Sequence, residues 1–254
     1  GTKYSVFVNS GSSALLLMLY SLLELKKINR KDKVVVPALA WATDLAPVIQ
    51  FDLTPIICDI NLSDLSVDLY HLENIFITEQ PKVLMLVSVL GLVPNMDEVV
   101  RLCKKYNVIL LEDVCETNGS SFKGQKLGTF SLMSCTSFYM GHFTSTIEGG
   151  MISTNDELVY NTLKMLRSHG WDRDLDAESQ KFLKTKNNIS DFDSLYTFYM
   201  PGFNLRATDL QAFLGLRQIP KLSNIIKKRH DNYMLYQKSI INNYWTPQDV
   251  SDGF

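Results

Sequence analysis

Two acidic residues follow one apolar segment closely enough to face the same ligand. The segment VILLED reads as a buried strand that ends at Asp113, and Glu116 lies three residues further on. Ligands bind at the carboxyl ends of strands in open α/β sheets, and a carboxylate there can hold a protonated ring nitrogen and keep a pyridine-like ring electron-withdrawing. A plainer interpretation fits equally: Asp113 caps the next turn and Glu116 is a surface acid.

Two predicted helix starts supply further ligand-binding groups. Gly11 and Ser12 open the helical segment GSSALLLMLYSLLEL, where free backbone N–H groups and the helix dipole suit a phosphate. A serine-rich capping turn without any ligand has the same sequence. Trp41 begins another helical segment directly after the strand VVVPAL, so its indole either lies flat on a ring or packs as a core aromatic.

The stretch from Ser137 to Gly150 brings hydroxyl groups, a histidine and paired glycines close together. Ser137 and His142 flank an aromatic pair, and the stretch continues through TST to EGG. Small residues and glycines let the backbone approach a ligand closely. An imidazole titrates near neutral pH and is a competent base there, although a lone histidine is more often a structural hydrogen-bonding residue.

Short apolar segments alternate with amphipathic helical segments through most of the chain. This alternation predicts an α/β fold of three layers, α/β/α, with a mostly parallel central sheet. The sequence is glycine-rich and strand-like from FKGQKLGTF to TIEGGMIST, and residues 171–193 predict a long surface loop with some helix. A later helix begins with Thr208 or Asp209 as its cap, and a lysine- and arginine-rich helix follows it.

Composition excludes several classes of protein. Hydrophobic residues make up 46% and charged residues 20% of the 254 residues, which is typical of a globular protein. A net charge of −2 offers no basic face for nucleic acid. The four cysteines form no C-x-x-C pair, and no signal peptide or apolar run of about 18 residues is visible, so we expect reduced thiols, no membrane span and a cytoplasmic protein.

Six motifs in order resemble the vitamin-B6-dependent nucleotide-sugar aminotransferase and dehydratase family, which has the aspartate aminotransferase fold. They are VNSGSSAL, PALAWAT, LLEDVCE, KLGTFSLMSCTSFYMGHFTSTIEGGMIST, LRSHG and GFNLRATDLQAFLGL. The resemblance implies that residues 1–220 are a fold-type I large domain that binds pyridoxal phosphate (PLP). Residues 221–254 would be a connecting helix and the start of a smaller C-terminal domain. By the same comparison we expect an N-terminal leader and most of that smaller domain to be missing from this sequence.

The resemblance assigns cofactor roles to seven residues. Gly11, Ser12 and Ser137 would bind the phosphate of pyridoxal 5'-phosphate or of its amine form, pyridoxamine 5'-phosphate. Asn204 would reach that phosphate from the neighbouring subunit, which implies a homodimer with shared active sites. The remaining three would contact the ring: they are Trp41, stacked on it, Asp113, at the pyridinium nitrogen, and Glu116, near the ring hydroxyl.

One position departs from the family's aminotransferases. Those enzymes have a lysine seven residues before the first glycine of the E-G-G triplet, and His142 stands there in this chain. The resemblance connects a histidine at this place with 3-dehydratases, lyases that remove the C3 hydroxyl of a nucleotide-linked 4-keto-6-deoxy sugar with glutamate as amino donor. Such enzymes serve deoxysugar biosynthesis of the O-antigen or lipopolysaccharide type. His142 would then be the catalytic base, since it cannot bind the cofactor covalently.

Two alternatives remain open at this point. One is a PLP-dependent aminotransferase whose lysine has been replaced by histidine; the segment TSTI beside His142 departs from the aminotransferase pattern and argues against it. The other is a cofactor-free regulatory or scaffold protein, against which the retention of Asp113 and Ser137 argues.

Three smaller points complete the expectations. No cysteine follows Cys135, so we expect no iron–sulfur cluster and no metal. Ile147 stands where aminotransferases often have glycine, and the sequence offers no reason for it. His169 is a candidate for contact with the sugar or its phosphate, unless it only braces its loop. Which nucleotide the substrate carries is not encoded in any of these motifs.

Overall fold

A seven-stranded sheet forms the framework of the chain in a computed structural model, which describes residues 1–240. The strands are β1 (Tyr4–Val8), β2 (Lys33–Pro37), β3 (Thr54–Cys58), β4 (Val83–Val87), β5 (Ile109–Asp113), β6 (Ser121–Phe122), β7 (Gln125–Lys126), β8 (Met133–Ser137) and β9 (Gly150–Thr154). Of these, β6 and β7 form a small separate hairpin. The order across the sheet is β1-β9-β8-β5-β4-β2-β3. Only β9 runs antiparallel to its neighbours in this sheet, so the predicted mostly parallel sheet is confirmed.

Helices cover both faces of this sheet. They are α1 (Gly11–Glu24), α2 (Ala42–Gln50), α3 (Leu69–Glu79), α4 (Met96–Tyr106), α5 (Glu157–Arg167), α6 (Ala177–Asn187), α7 (Asp209–Gln218) and α8 (Leu222–Ser239). Strand β4 shows how the layers are packed, because all five of its side chains are buried. Val83, Met85 and Val87 belong to the core that includes α1 and α5, whereas Leu84 and Leu86 belong to the core with α3 and α4. A parallel strand covered on both faces reads as such a continuous apolar run.

Local signals explain where the helices near the sheet's carboxyl edge begin. Ser10 caps α1, and its side chain accepts a hydrogen bond from the Ser13 N–H. The helix therefore begins at Gly11, and its leucine- and methionine-rich face packs on the sheet. Thr208 caps α7 in a capping box with Gln211, which settles the choice between Thr208 and Asp209.

The segment 171–193 is more helical than the sequence indicated. It contains α6, which is 11 residues long and has no buried residue. Asp176 caps its N-terminus and Asn188 ends it in the left-handed conformation. Capping residues mark the ends of this helix, but it has no buried apolar face. Apolar periodicity in the sequence therefore does not predict it.

The last described helix packs against the same body of the protein. Ile226 of α8 packs against Gly119: a Cβ added to Gly119 would lie 2.3 Å from the Ile226 Cδ1. The Arg229 guanidinium carbon lies 4.3 Å from the centre of the Phe143 ring. The predicted boundary at residue 220 stays a prediction, and residues 241–254 lie outside the described part. No helix among residues 1–240 is long and apolar enough to cross a membrane.

Candidate active site

The start of α1 lies directly against the end of β8, and this brings Gly11 and Ser137 together. A Cβ on Gly11 would lie 2.6 Å from the Ser137 Cβ and 3.0 Å from its Oγ, so no side chain fits at position 11. A Cβ on Gly150 would lie 2.2 Å from the Ser10 carbonyl oxygen, so the E-G-G glycine lets β9 approach the same turn. Two predicted phosphate ligands and one glycine of the E-G-G triplet thus meet at one helix start.

The first turn of α1 has hydrogen-bond donors free for an anion. The Ser13 N–H is taken by the Ser10 side chain and the Ala14 N–H by the Ser10 carbonyl oxygen. The preceding N–H groups, those of Gly11 and Ser12, have no intrahelical acceptor because they belong to the first turn. The Ser12 hydroxyl donates to Thr43 Oγ1 at 3.2 Å and so connects the starts of α1 and α2. This arrangement suits a phosphate.

Trp41 is the N-cap residue of α2, directly beyond the end of β2. Its side chain is 71% exposed, so it is not a core aromatic. Its backbone N–H donates to Asp44 Oδ2 at 3.0 Å, which fixes the residue at the helix start. An exposed indole with a fixed backbone is free to stack on a ring, and that role stays a prediction.

Asp113 lies at the end of β5 and is almost fully buried, with 4% of it exposed. Its Oδ1 accepts hydrogen bonds from the Cys115 N–H at 2.8 Å and from the Cys135 thiol at 3.3 Å. One oxygen therefore does cap the next turn, as the plainer interpretation held. A carboxylate buried at the carboxyl edge of the sheet is also placed to bind a cationic ring nitrogen.

A second buried acid, Asp44, lies beside Asp113, at a position where the sequence indicated no functional residue. Asp44 is fully buried in the first turn of α2, and its Oδ1 has no hydrogen-bond partner. Burial raises the pKa of Asp44 to about 9, and the neighbouring Asp113 adds to the shift through its negative charge and because it could accept a hydrogen bond from a protonated Asp44. The sequence signal is ordinary, because an acid in the first turn of a helix commonly serves as a cap.

Glu116 is not a free surface acid. It is half-buried, and its Oε2 accepts a hydrogen bond from the Leu90 N–H at 2.9 Å, which joins the loops after β5 and β4. Its charge also acts on Asp44. Glu116 therefore lies at the same edge as Asp113, and its role near a ring hydroxyl stays a prediction.

His142 lies in the loop that connects β8 to β9, five residues after Ser137. Its backbone N–H donates a hydrogen bond to the Tyr139 carbonyl oxygen at 3.0 Å. The imidazole of His142 and the ring of Tyr139 form a T-shaped contact with their centroids 6.1 Å apart. Hydrogen bonds close the base of the loop: the Phe138 N–H donates to the Gly149 carbonyl oxygen at 2.8 Å. His142 is thus presented by a loop with a defined backbone rather than by a strand or helix.

Helix α7 holds this loop from the side. The Ser145 N–H donates to Gln218 Oε1 at 2.9 Å, and the Gln218 amide N–H donates back to the Ser145 carbonyl oxygen. Gln211 donates to the Glu148 carbonyl oxygen at 2.6 Å. Two glutamines of one helix thereby satisfy the backbone groups of the loop, a role that the sequence analysis did not anticipate.

The unusual Ile147 stands at a strained backbone position. Its φ is +73°, in the left-handed region that glycine adopts without strain and that β-branched residues rarely adopt. The side chain is 65% exposed, so packing does not explain the isoleucine. Glycine is the residue that this backbone favours, and nothing in the structure explains the isoleucine.

The candidates His169 and Asn204 lie together at a crossing of two backbone segments. The His169 N–H donates to the Phe203 carbonyl oxygen at 2.7 Å, and Ser168 forms an isolated bridge with Asn204. The His169 ring meets Trp171 edge-on with centroids 6.5 Å apart. The backbone of His169 therefore braces its loop, and contact with substrate stays a prediction. Asn204 is exposed, and its contact with a neighbouring subunit stays a prediction.

The sheet order, the anion site at the start of α1 and the buried carboxyl groups at the end of β5 define an aminotransferase-type α/β protein. The chain belongs to the DegT/DnrJ/EryC1/StrS aminotransferase family, whose sequence model matches residues 1–248. Both the resemblance and the fold expected from the sequence are confirmed.

Several proteins to which this chain is similar are 3-dehydratases. The chain is 35% identical over 240 residues to GDP-4-keto-6-deoxy-D-mannose 3-dehydratase of Yersinia pseudotuberculosis, in a match that covers 94% of this chain and 60% of the relative. The E. coli GDP-4-keto-6-deoxy-D-mannose-3-dehydratase with bound hydrated PLP is similar with a TM-score of 0.85 and 34% identity, over 94% of this chain and 62% of that one. A GDP-4-keto-6-deoxymannose-3-dehydratase with a trapped PLP-glutamate geminal diamine gives a TM-score of 0.89 and 32% identity, over 99% and 65%. The chain thus spans 60% of the length of the curated relative.

Proposed function

We propose that this chain is the cofactor-binding part of a PLP-dependent sugar 3-dehydratase. The enzyme would remove the C3 hydroxyl of a nucleotide-linked 4-keto-6-deoxy sugar. The observation that carries the proposal is His142, which takes the place of the family's lysine on the loop that begins at Ser137. The similarity to 3-dehydratases over almost the whole of this chain supports it.

The residues at the sheet edge fit pyridoxal phosphate. The first-turn N–H groups of α1 and the Ser137 hydroxyl, next to a position without a side chain, suit its phosphate. The exposed Trp41 suits its ring, and the buried Asp113 its protonated nitrogen. When bound, the cofactor supplies an electron-withdrawing ring that stabilises negative charge at a neighbouring carbon. Asp113 would keep the ring nitrogen protonated and so maintain that property.

His142 would carry out the proton transfer. Its imidazole can accept a proton on a ring nitrogen and return it, whereas it cannot hold the cofactor through a covalent bond as a lysine amine does. The loop that carries it is fixed at its base and by α7, which keeps the imidazole oriented. A base without a competing amine favours elimination of the C3 hydroxyl over transfer of an amino group.

The remaining parts of the proposal concern partners. Glutamate would regenerate the amine form of the cofactor, in line with the relative trapped with PLP and glutamate. The enzyme would be a cytoplasmic homodimer in which Asn204 of one subunit reaches the phosphate of the other, and it would serve deoxysugar biosynthesis of the O-antigen type. Residues 1–220 would form the large domain, and residues 221–254 would lead into a smaller one.

The test is an assay of the full-length protein with pyridoxamine 5'-phosphate, glutamate, and GDP- or CDP-linked 4-keto-6-deoxy sugars. We expect glutamate-dependent release of ammonia in step with formation of a 3-deoxy-4-keto sugar. A stable 4-amino sugar without ammonia would assign the protein to transamination. Absence of cofactor binding would support a regulatory or scaffold role.

His142 itself is tested by two substitutions. His142→Asn should lower kcat by a factor of about 10² to 10⁴, the usual contribution of a general base, with little change in cofactor affinity. His142→Lys should weaken dehydration and allow a covalent bond to the cofactor that borohydride reduction traps. Unchanged dehydration in either variant would show that His142 is not the base.

A further inference from the structure

Two carboxyl groups share one buried place at the carboxyl edge of the sheet. Asp44 belongs to the first turn of α2 and has none of its surface exposed, and Asp113 ends β5 with 4% exposed. The two side chains lie within hydrogen-bonding reach of each other. Because like charges at this separation repel strongly inside a protein, two such groups do not both ionise at neutral pH.

The hydrogen bonds around the pair favour a proton on Asp44 rather than on Asp113. Asp113 Oδ1 already accepts from the Cys115 N–H and the Cys135 thiol, as a carboxylate does. Asp44 Oδ2 accepts from the Trp41 N–H at 3.0 Å, and Asp44 Oδ1 has no partner. A buried oxygen without a partner is costly, and a proton on Asp44 Oδ1 would turn it into a donor.

Among the described residues, the charged groups that act most strongly on Asp44 include no cation. The charges that face it from the end of β5 and the following loop are those of Asp113 and Glu116, both negative. The two thiols beside the pair are neutral. Burial raises the pKa of the Cys135 thiol. The hydrogen bond with Cys135 lowers the pKa of the Cys115 thiol, but burial and the charge of Asp113 together raise it to about 12. The surroundings therefore favour the neutral form of Asp44.

We propose that Asp44 is a neutral carboxylic acid at neutral pH and donates a hydrogen bond from Oδ1 to the carboxylate of Asp113. The pair then carries one negative charge, which matches the single positive charge of a protonated ring nitrogen. Asp44 is a positioning residue: it acts through Asp113 and also accepts the hydrogen bond that fixes Trp41. The cofactor part of this inference rests on the proposed function, and the proton itself does not.

The proton is tested by infrared spectroscopy of the full-length protein without cofactor. We expect a carbonyl band of a protonated carboxyl group at pH 7 that disappears in Asp44→Asn and fades in the unsubstituted protein as the pH passes about 9. Glu112 is the matched control, because it is a second buried acid with a raised pKa caused by burial. The band assigned to Asp44 should persist in Glu112→Gln. A spectrum at pH 7 that Asp44→Asn leaves unchanged would overturn the proposal, and the titration decides it if that variant does not fold.

The positioning role is tested by the affinity for pyridoxamine 5'-phosphate. In Asp44→Asn an amide N–H replaces the acid O–H, so the affinity should stay within a few-fold of the unsubstituted value. Asp44→Ala removes the donor and should weaken binding about tenfold, as expected when a buried hydrogen-bonding group loses its partner. Equal affinity of Asp44→Ala and the unsubstituted protein would overturn the role. A protein with the infrared band that binds no cofactor would refute the proposed function and leave the shared proton standing.

Discussion

At the scale of single residues, burial separates acids that carry charge from acids that hold a proton. Asp52 is half-exposed in an ion pair with Lys31, so water screens its charge. Asp44 is fully buried, and the charges that act on it most strongly are those of Asp113 and Glu116, both negative. Its protonation is therefore linked to folding, because the unfolded chain restores its ordinary acidity.

The first prediction is a dependence of stability on pH that belongs to Asp44. Its pKa is about 9 in the folded protein and 3.8 for an unperturbed aspartic acid, so the folded state binds the extra proton between these limits. The stabilisation is complete below about pH 4 and is lost as the pH rises through 9. In Asp44→Asn the free energy of unfolding should fall less between pH 6 and 8, by about 3 kcal/mol. Urea denaturation measures this, and Asp52→Asn, which removes an exposed acid, should keep the original slope.

Residue-level reasoning from the sequence found part of this site. Asp113, Gly11 and Ser137 stand at strand ends and helix starts, which local patterns reveal. Asp44 was missed because its burial depends on the start of α2 lying beside the end of β5, a contact between distant parts of the chain. Ile147 was noticed but not explained, since its φ is not readable from the sequence.

A second prediction follows from that φ. Ile147→Gly should raise the free energy of unfolding by about 1 kcal/mol, because relief of the left-handed strain exceeds the added entropy of the unfolded chain. Ile49, which is also exposed but lies in α2, is the matched control, and Ile49→Gly should lower stability by a similar amount. A loss of stability in Ile147→Gly would show that the side chain has a role in packing or in another subunit.

At the scale of elements, the loop of His142 depends on a helix that is distant in sequence. Gln218 lies 73 residues after Ser145, yet the two exchange hydrogen bonds in both directions. The sequence predicted α7 and its cap, but long-range pairs of this kind carry no local signature. Helix α6 was only vaguely anticipated for the opposite reason, since its caps are local but its faces bury nothing.

A third prediction tests this support. Gln218→Ala leaves the backbone groups of Ser145 without partners, so it should destabilise the loop by about 1 to 3 kcal/mol. The Ser145 amide should then exchange with solvent at least about tenfold faster, and kcat should fall because His142 is less well oriented. Arg217→Ala is the control on the same helix, since Arg217 stacks on the exposed Phe213. Equal effects of the two variants would argue that α7 acts only through general stability.

At the scale of the whole molecule, the sheet and the helices before residue 168 have a buried apolar core, whereas the last two described helices have exposed apolar residues. The sheet and helices α1 to α5 enclose two buried clusters, whereas α7 and α8 contain no buried residue. Four large apolar residues on and just after α7 are exposed: Leu210, Phe213, Leu216 and Ile219. Apolar periodicity predicted the layered core. The same periodicity does not identify which surface packs against the apolar face of α7.

The last prediction assigns that surface to a second copy of the chain. A large exposed apolar patch marks an interaction site, and Asn204, five residues before the start of α7, is the residue expected to reach across to the partner's phosphate. If the full-length protein is the proposed dimer, Phe213→Glu should convert it to monomers in sedimentation measurements and weaken pyridoxamine 5'-phosphate binding at the same time, because each site loses the partner's amide. Tyr70→Glu, at an exposed position on α3, should do neither. A dimer that survives Phe213→Glu would mean that further residues of the same chain cover this face and that the subunits meet elsewhere.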